Sequence, residues 1–388
     1  MRLICLIALT INTLSLYYNI NISKVVKYNC IDKNLISNYD LNNYKKIKGT
    51  DINLYSYGDL NIENNGAIIK SEFIFFQDDV TFPSCHASTI VETKDGLVAS
   101  WFGGTNEKHP DVGIWISRNV NNKWTTPIEI ANGVQHSELR YPTWNPVLFN
   151  YGDELFLFYK IGPSPQTWWG AFMISEDNGK TWSRSIRLPQ EILGPIKNKP
   201  ELLDNGDLIC PTSSENNGWQ VYMEFTNDRG KTWERTAPIN DGVDIVAIQP
   251  SILKHSDGRL QILCRSINKK ILTAWSDDNG RSWSKLEPLD LPNPNSGTDA
   301  VTLQDGRHVL VYNHVEPNED WGNRNILNIA VSNDGLDWKK SLVLENDEDT
   351  NSEYSYPAVI QSTDGKIHIT YTWNRKMIKY IVIDPSMI

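Results

Sequence analysis

Four arginines, Arg140, Arg265, Arg324 and Arg375, stand close to the ends of apolar or alternating runs that recur at about 50 residues. A guanidinium fork takes a carboxylate through two parallel hydrogen bonds, so arginines gathered from several such runs suit an anionic ligand. The same runs carry His86, Asn145, Lys160, Lys199, Glu215, Gln249, Asp299, His314 and Tyr356, and Asp111 follows in the segment Glu107-Lys108-His109-Pro110-Asp111. Charged groups are seldom buried unless they pair with one another or hold a ligand, and an internal salt-bridge network is the reading that needs no ligand. Among such groups His86 has the chemistry of a general acid or base. Trp101, Trp168, Trp169 and Trp373 offer flat faces that suit sugar rings, although packing alone accounts for any one of them.

Two interleaved repeats must position these residues. Ser175 to Trp182 reads SEDNGKTW, and Thr226 to Trp233 (TNDRGKTW) and Ser276 to Trp283 (SDDNGRSW) keep the same order of hydroxyl, acid, glycine and tryptophan. Ser332 to Trp338 is one residue shorter, and Ser117 to Trp124 keeps only the ends. In such a box the Asp accepts from backbone N–H groups a few residues on, the Gly takes a conformation other residues resist, and the Trp plugs the unit onto a neighbour. The boxes are therefore structural. The second repeat is a turn of the Asp-Gly type at Asp95-Gly96, Gly152-Asp153, Asn205-Gly206, Asp257-Gly258, Asp305-Gly306 and Asp364-Gly365, each between strand-like runs.

One unit thus reads strand, tight turn, strand, long loop, strand, box, strand. Six units predict an all-β fold, a six-bladed β-propeller with Asp-box turns, over residues 66–388. The last unit lacks a box, and Gly66 to Phe76 is expected to supply its outer strand and leave no open edge. Counting back from each turn brings His86, Asn145, Lys199, Gln249, Asp299 and Tyr356 to the axis. Counting forward brings Trp101, Lys160, Glu215, Arg265, His314, Trp373 and Arg375 to the same mouth, opposite the boxes.

The chain has 388 residues, is 40% hydrophobic, holds 14 Trp and 16 Tyr, and carries a formal charge of −10. That charge excludes nucleic acid or an anionic membrane as the main partner, since either needs a basic face. Met1-Arg2 and the apolar run Leu3 to Ile11 read as a signal peptide, or else an N-terminal anchor, within residues 1–22, with an irregular lead-in over 23–65. A secreted, periplasmic or otherwise extracytoplasmic monomer is expected. Cys30, Cys85, Cys210 and Cys264 then form disulfides or remain buried thiols. No His/Cys/Asp cluster has metal-ligand spacing and no glycine-rich phosphate loop opens a helix, so no metal or cofactor is expected.

The boxes resemble those of the sialidase (neuraminidase) superfamily. Cys85-His86-Ala87-Ser88-Thr89-Ile90-Val91-Glu92, Trp101-Phe102-Gly103-Gly104-Thr105, Trp144-Asn145-Pro146-Val147-Leu148-Phe149, Asn293-Pro294-Asn295-Ser296-Gly297 and Tyr354-Ser355-Tyr356-Pro357-Ala358 resemble its predicted-neuraminidase, BNR-repeat branch. The resemblance implies a glycosidase of the exo-α-sialidase type acting on terminal, acidic sugars of a glycan. It also implies Arg265 and Arg324 as two members of a carboxylate-binding arginine triad, Asp111 as acid/base, and Tyr356 or Tyr354 as nucleophile. Cys85-His86-Ala87 stands where the superfamily has Arg-Ile-Pro, which leaves Arg140 or Arg375 for the third arginine. The Glu expected near Gln249-Pro250 is absent, which leaves Glu215 or Glu353 to pair with the tyrosine. A polysaccharide lyase with His86 or Tyr356 as base, and a non-catalytic glycan-binding propeller, remain the alternatives.

Overall fold

At the six Asp-Gly-type turns the glycines take φ between +70° and +119°, the left-handed region that a side chain resists. In a computed structural model, described for residues 66–388 apart from Asn318 and Asp320, these turns join the first two strands of six sheets. The inner strands are Ser84–Thr93, Thr143–Tyr151, Glu201–Leu202, Ala247–Lys254, Asp299–Thr302 and Tyr354–Gln361. Their partners across the turns are Gly96–Gly104, Glu154–Ile161, Leu208–Ser214, Leu260–Ser266, His308–Tyr312 and Ile367–Trp373. We number the sheets as blades one to six in that order. Every blade is antiparallel, and two short strands share the outer position of blade one.

The sixth blade runs Ile68–Phe73, Met377–Ile383, Ile367–Trp373, Tyr354–Gln361, so the earliest described strand closes the latest sheet. Closure removes the unpaired edge that an open meander would present. The inner strand of blade three is only Glu201–Leu202. Pro195 and Pro200 precede it, and neither has the N–H that a ladder requires. A hairpin of Gly133–His136 with Leu139–Tyr141, not foreseen from the repeats, lies between blades one and two and carries Arg140.

The boxes do what their residues dictate. Asp177 accepts from the backbone of Lys180 and Thr181 at 3.0 and 2.8 Å and from Thr181 Oγ1 at 2.7 Å. Asp228 and Asp278 repeat the pattern. Each box Trp packs on the preceding blade: Trp182 against the Val98 and Ile116 cluster, Trp233 on Phe158, Trp283 in the Ile209 and Phe225 cluster, Trp338 beside Leu253 and Leu263. Trp124 meets Tyr380 of blade six edge-on at 5.1 Å, which continues the series across the closure. The apolar core therefore consists of layers between blades, and the polar residues are left to the axis.

Cys85, Cys210 and Cys264 are buried free thiols. Cys30, the proposed signal or anchor and the lead-in fall outside the described residues. Among the described residues no helix is long and apolar enough to cross a membrane.

Candidate functional site

Four inner strands slip register at the same level, in blade one between His86 and Thr89, in blade two opposite Phe158 and Lys160, in blade four between Ile248 and Ser251, and in blade six between Ser355 and Ala358. The bulged residues Ala87, Asn145, Gln249 and Tyr356 have φ of 56°, 36°, 56° and 53°. Three of them precede a proline, Pro146, Pro250 and Pro357, which cannot donate to the ladder. A bulge re-aims a side chain, and non-glycine residues held at positive φ cluster at functional sites.

Tyr356 is the clearest product of this device. Its Oη accepts from Arg265 Nη1 at 2.6 Å. Arg265 is 3% exposed and gives Nε to Asn295 Oδ1 at 2.8 Å and Nη1 also to Gln249 Oε1 at 3.3 Å. Its guanidinium lies between the rings of Trp219, Trp321 and Tyr356 at 5.2, 5.4 and 5.7 Å. Gly297 lets the backbone pack close here: a Cβ would stand 3.3 Å from Tyr356 Cδ2 and from Gln249 Oε1, a tight contact that would press on both side chains. Lys197 Nζ bonds the carbonyls of Thr298 and Pro357, which ties the residue after Tyr356 to the axis.

Glu353 gathers the other two arginines. Arg324 Nη1 reaches Oε1 at 3.0 Å and Arg375 Nε reaches Oε2 at 2.9 Å, while Ser355 Oγ adds 2.6 Å to Oε1. Burial works against this carboxylate, but the Arg375 and Arg324 guanidinium groups beside it outweigh burial and hold its pKa well below the usual range. Arg375 Nη1 also takes Glu107 Oε2 at 2.5 Å. His86, 2% exposed, lies with its ring 4.1 Å from that of Tyr356, and among the described residues neither ring nitrogen has a hydrogen-bond partner. Burial, reinforced by Arg375, pushes its pKa well below the ordinary value, so the imidazole is neutral.

Two further carboxyl groups, Asp111 and Glu215, have pKa values shifted in opposite directions. Asp111 is bonded by Thr105 N and Oγ1 at 2.9 and 2.6 Å and by His109 Nδ1 at 2.7 Å, and these contacts outweigh partial burial to keep its pKa low. Arg140 holds the Asp111 carbonyl at 2.6 Å and Glu129 at 3.7 Å, so it braces the loop rather than joining the other arginines. Glu215 follows the second strand of blade three near Arg265 and Glu107. Burial pushes its carboxyl up, and Arg265 only partly offsets this.

Several residues expected at the mouth are engaged elsewhere. Lys160 is 0% exposed, its Nζ gives 2.9 Å to Pro195 O, and burial lowers its pKa to about 7. Lys199 pairs with Asp299, which also accepts from Ser251 Oγ and Val359 N, so these two form an axial plug. Trp101 is 0% exposed and stacked on Phe75 at 4.9 Å, and Trp373 packs edge-on against Phe73 at 5.3 Å, so neither is a sugar platform. His314 Nδ1 is bonded to Tyr312 Oη at 2.5 Å. Tyr354 gives its hydroxyl to Asp347 at 2.9 Å, away from the arginines, because the bulge after Ser355 breaks the alternation that would have aimed Tyr354 and Tyr356 alike. Asn145 is buried at its bulge. The structure therefore brings His86, Gln249, Arg265, Arg324, Tyr356 and Arg375 together, with Asp111 and Glu215 at the border. Sequence reasoning missed Trp219, Trp321 and Lys197. Trp219 is close in sequence to Glu215 and Trp321 to Arg324, and this proximity was the available signal. Among the described residues no group of three or more His, Cys, Asp and Glu side chains could hold a metal ion.

Residues 95–369 match the model of the BNR repeat-like domain. A sialidase of Clostridium perfringens is 25% identical over 172 residues, which cover 35% of this chain and 44% of that protein. The chain thus spans under half the length of this curated relative. Among solved structures, the Hadza microbial sialidase Hz136 superposes with a TM-score of 0.69 at 16% identity over 82% of this chain and 69% of that one. The intramolecular trans-sialidase from Ruminococcus gnavus superposes with a TM-score of 0.65 at 15% identity over 83% of this chain and 98% of that one. At these identities the structural matches establish the fold.

Proposed function

The chain belongs to the BNR repeat-like domain family, and we propose that it is an exported glycoside hydrolase of the sialidase-like type that removes terminal, acidic sugars through Tyr356. The observation that carries this reading is the 2.6 Å bond from Arg265 to Tyr356 Oη on a backbone held at positive φ. The guanidinium faces the oxygen on which negative charge develops, and the Arg324 guanidinium lies 5.7 Å from the same ring. A phenolate can attack an anomeric carbon without the repulsion that a carboxylate nucleophile would meet from an anionic substrate.

In this reading Arg265, Arg324 and Arg375 receive the anionic group of the sugar. Each of the last two gives one bond to Glu353 and keeps donors for a ligand. Tyr356 Oη attacks the anomeric carbon as the phenolate, its proton having passed to solvent, and the leaving oxygen takes the proton of Glu215, whose carboxyl burial shifts upward. The Glu215 carboxylate then takes a proton from water, whose oxygen displaces Tyr356 and regenerates the acid. Asp111 is the competing acid/base, and its bonds to Thr105 and His109 must break before it can give a proton.

Product analysis across acidic glycans tests the reading. A released saturated sugar supports it. An unsaturated product absorbing in the ultraviolet would assign a lyase, for which neutral His86 is the base at hand. Binding without turnover would assign a glycan-binding propeller.

A further inference from the structure

The mouth of the propeller continues sideways into a groove of about 450 Å³ between blades two and three. This is within the size range of small-ligand sites. Trp168, Trp169 and Tyr222 supply its aromatic wall, and Glu215, near enough to Arg265 to feel its charge, also lines it. Two cations lie along it. Arg235 stacks on Tyr222 at 5.0 Å and is held by the Glu191 carbonyl at 2.8 Å, with the Glu191 carboxylate 3.8 Å away. Arg187 stacks on Trp169 at 4.6 Å, and among the described residues it meets no carboxylate.

The wall is built to stay in place. Glu224, 1% exposed, accepts the backbone N–H groups of Leu193 and Gly194 at 3.0 and 2.6 Å, and Lys160 holds Pro195 O at 2.9 Å. Two buried side chains, Glu224 and Lys160, thus fix the segment that carries Glu191 and faces Trp169. An exposed arginine already ordered on an indole, in a chain of net charge −10, is a directed anion site rather than part of a general basic surface.

We propose that this groove binds the leaving part of the substrate, and that the sugar next to the cleaved one carries an anionic substituent, carboxylate or sulfate, that Arg187 receives. This rests on the reading of Glu215 as the acid of a glycosidase: a group that protonates the leaving oxygen must border the space into which the leaving sugar extends, and Glu215 borders this groove. The ring face of Trp168 would take the sugar plane, and Arg187, stacked on Trp169, the charge.

The test compares parent and Arg187→Ala on two kinds of substrate with the same terminal acidic sugar, one linked to an aryl group and one to an oligosaccharide whose next residue is a uronate, a sulfated sugar or a neutral sugar. The expected result is a fall of roughly 10- to 100-fold in kcat/KM on the uronate or sulfated oligosaccharide alone, the worth of one charge-assisted fork. Arg187→Lys should recover part of it, and the more affected of the two anionic substrates identifies the substituent. Equal losses on all substrates, or none, would overturn the proposal. If the parent cleaves nothing, the glycosidase reading fails on its own, and calorimetry with the same oligosaccharides decides the groove: binding weakened by Arg187→Ala for the anionic ones keeps it, and unchanged or absent binding removes it.

Discussion

Arg265 of blade four and Tyr356 of blade six, 91 residues apart in sequence, meet at 2.6 Å between Nη1 and Oη. The contact exists because Tyr356 is a bulge residue at φ 53°, which turns its ring to the axis and away from the course of its strand. Tyr356→Phe removes only the hydroxyl, so it should leave the melting temperature close to that of the parent and lower kcat by several powers of ten. Arg265→Lys keeps the charge and loses the fork that spans Asn295, Gln249 and Tyr356, so kcat/KM should fall sharply. Near-normal turnover by Tyr356→Phe would remove the nucleophile from the mechanism.

Glu215 and Asp111 are separated by their pH behaviour. Burial raises the Glu215 carboxyl, so as general acid it is protonated below its raised pKa, and kcat/KM should fall as pH rises through that value. Glu215→Gln should lose that limb along with most activity on poor leaving groups. Asp111→Asn should instead shift KM through the 105–111 loop. The reverse pattern in a pH-rate comparison of the two variants would exchange their roles.

Glu353 gives the stability of the site a pH dependence. Its folded pKa is below the ordinary 4.5, so its contribution is present above that pH and is lost as pH falls through the folded value. Glu353→Gln leaves Arg324 and Arg375 without their shared carboxylate and should cost about 3 kcal/mol at pH 7. In denaturant titrations the gap between parent and variant should narrow below pH 4.5. A constant gap would mean that the carboxylate charge is not what stabilises the pair.

Trp182 tests the independence of the two ends of the propeller. It plugs blade two onto blade one in the Val98 and Ile116 layer, opposite the arginines. Trp182→Ala should cost about 3 kcal/mol in lost packing and leave the specific activity of the folded fraction unchanged. A matched loss of specific activity would show that the boxes and the site are coupled.

Tyr354→Phe should cost about 1 kcal/mol, the usual worth of the hydrogen bond it gives to Asp347, with no change in kcat. A loss of turnover equal to that of Tyr356→Phe would reopen the choice between the two tyrosines.

The blade count was legible from residue types at fixed spacing, because an Asp box and an Asp-Gly turn each close through contacts within a few residues, and local contacts need no knowledge of the rest of the chain. The same spacing named His86 and Tyr356 as axial and Arg265 as at the same mouth, and anticipated that the first described strand would close the last blade. Which axial residues face a ligand was not legible. Lys160, Lys199 and Asp299 have the types of a binding site, and the tertiary structure uses them to hold Pro195 and to plug the axis. Tyr354 and Tyr356 are two residues apart and would share a side of a regular strand, and only the bulge between them sends one to Asp347 and the other to Arg265. Trp219 and Trp321 come from the loops after the second strands of blades three and five, and they meet around Arg265 only once the ring closes. Sequence pattern therefore determined the scaffold, which local hydrogen bonding encodes. The fold alone decided the partners at its axis, because those contacts join blades whose relative placement exists only after closure.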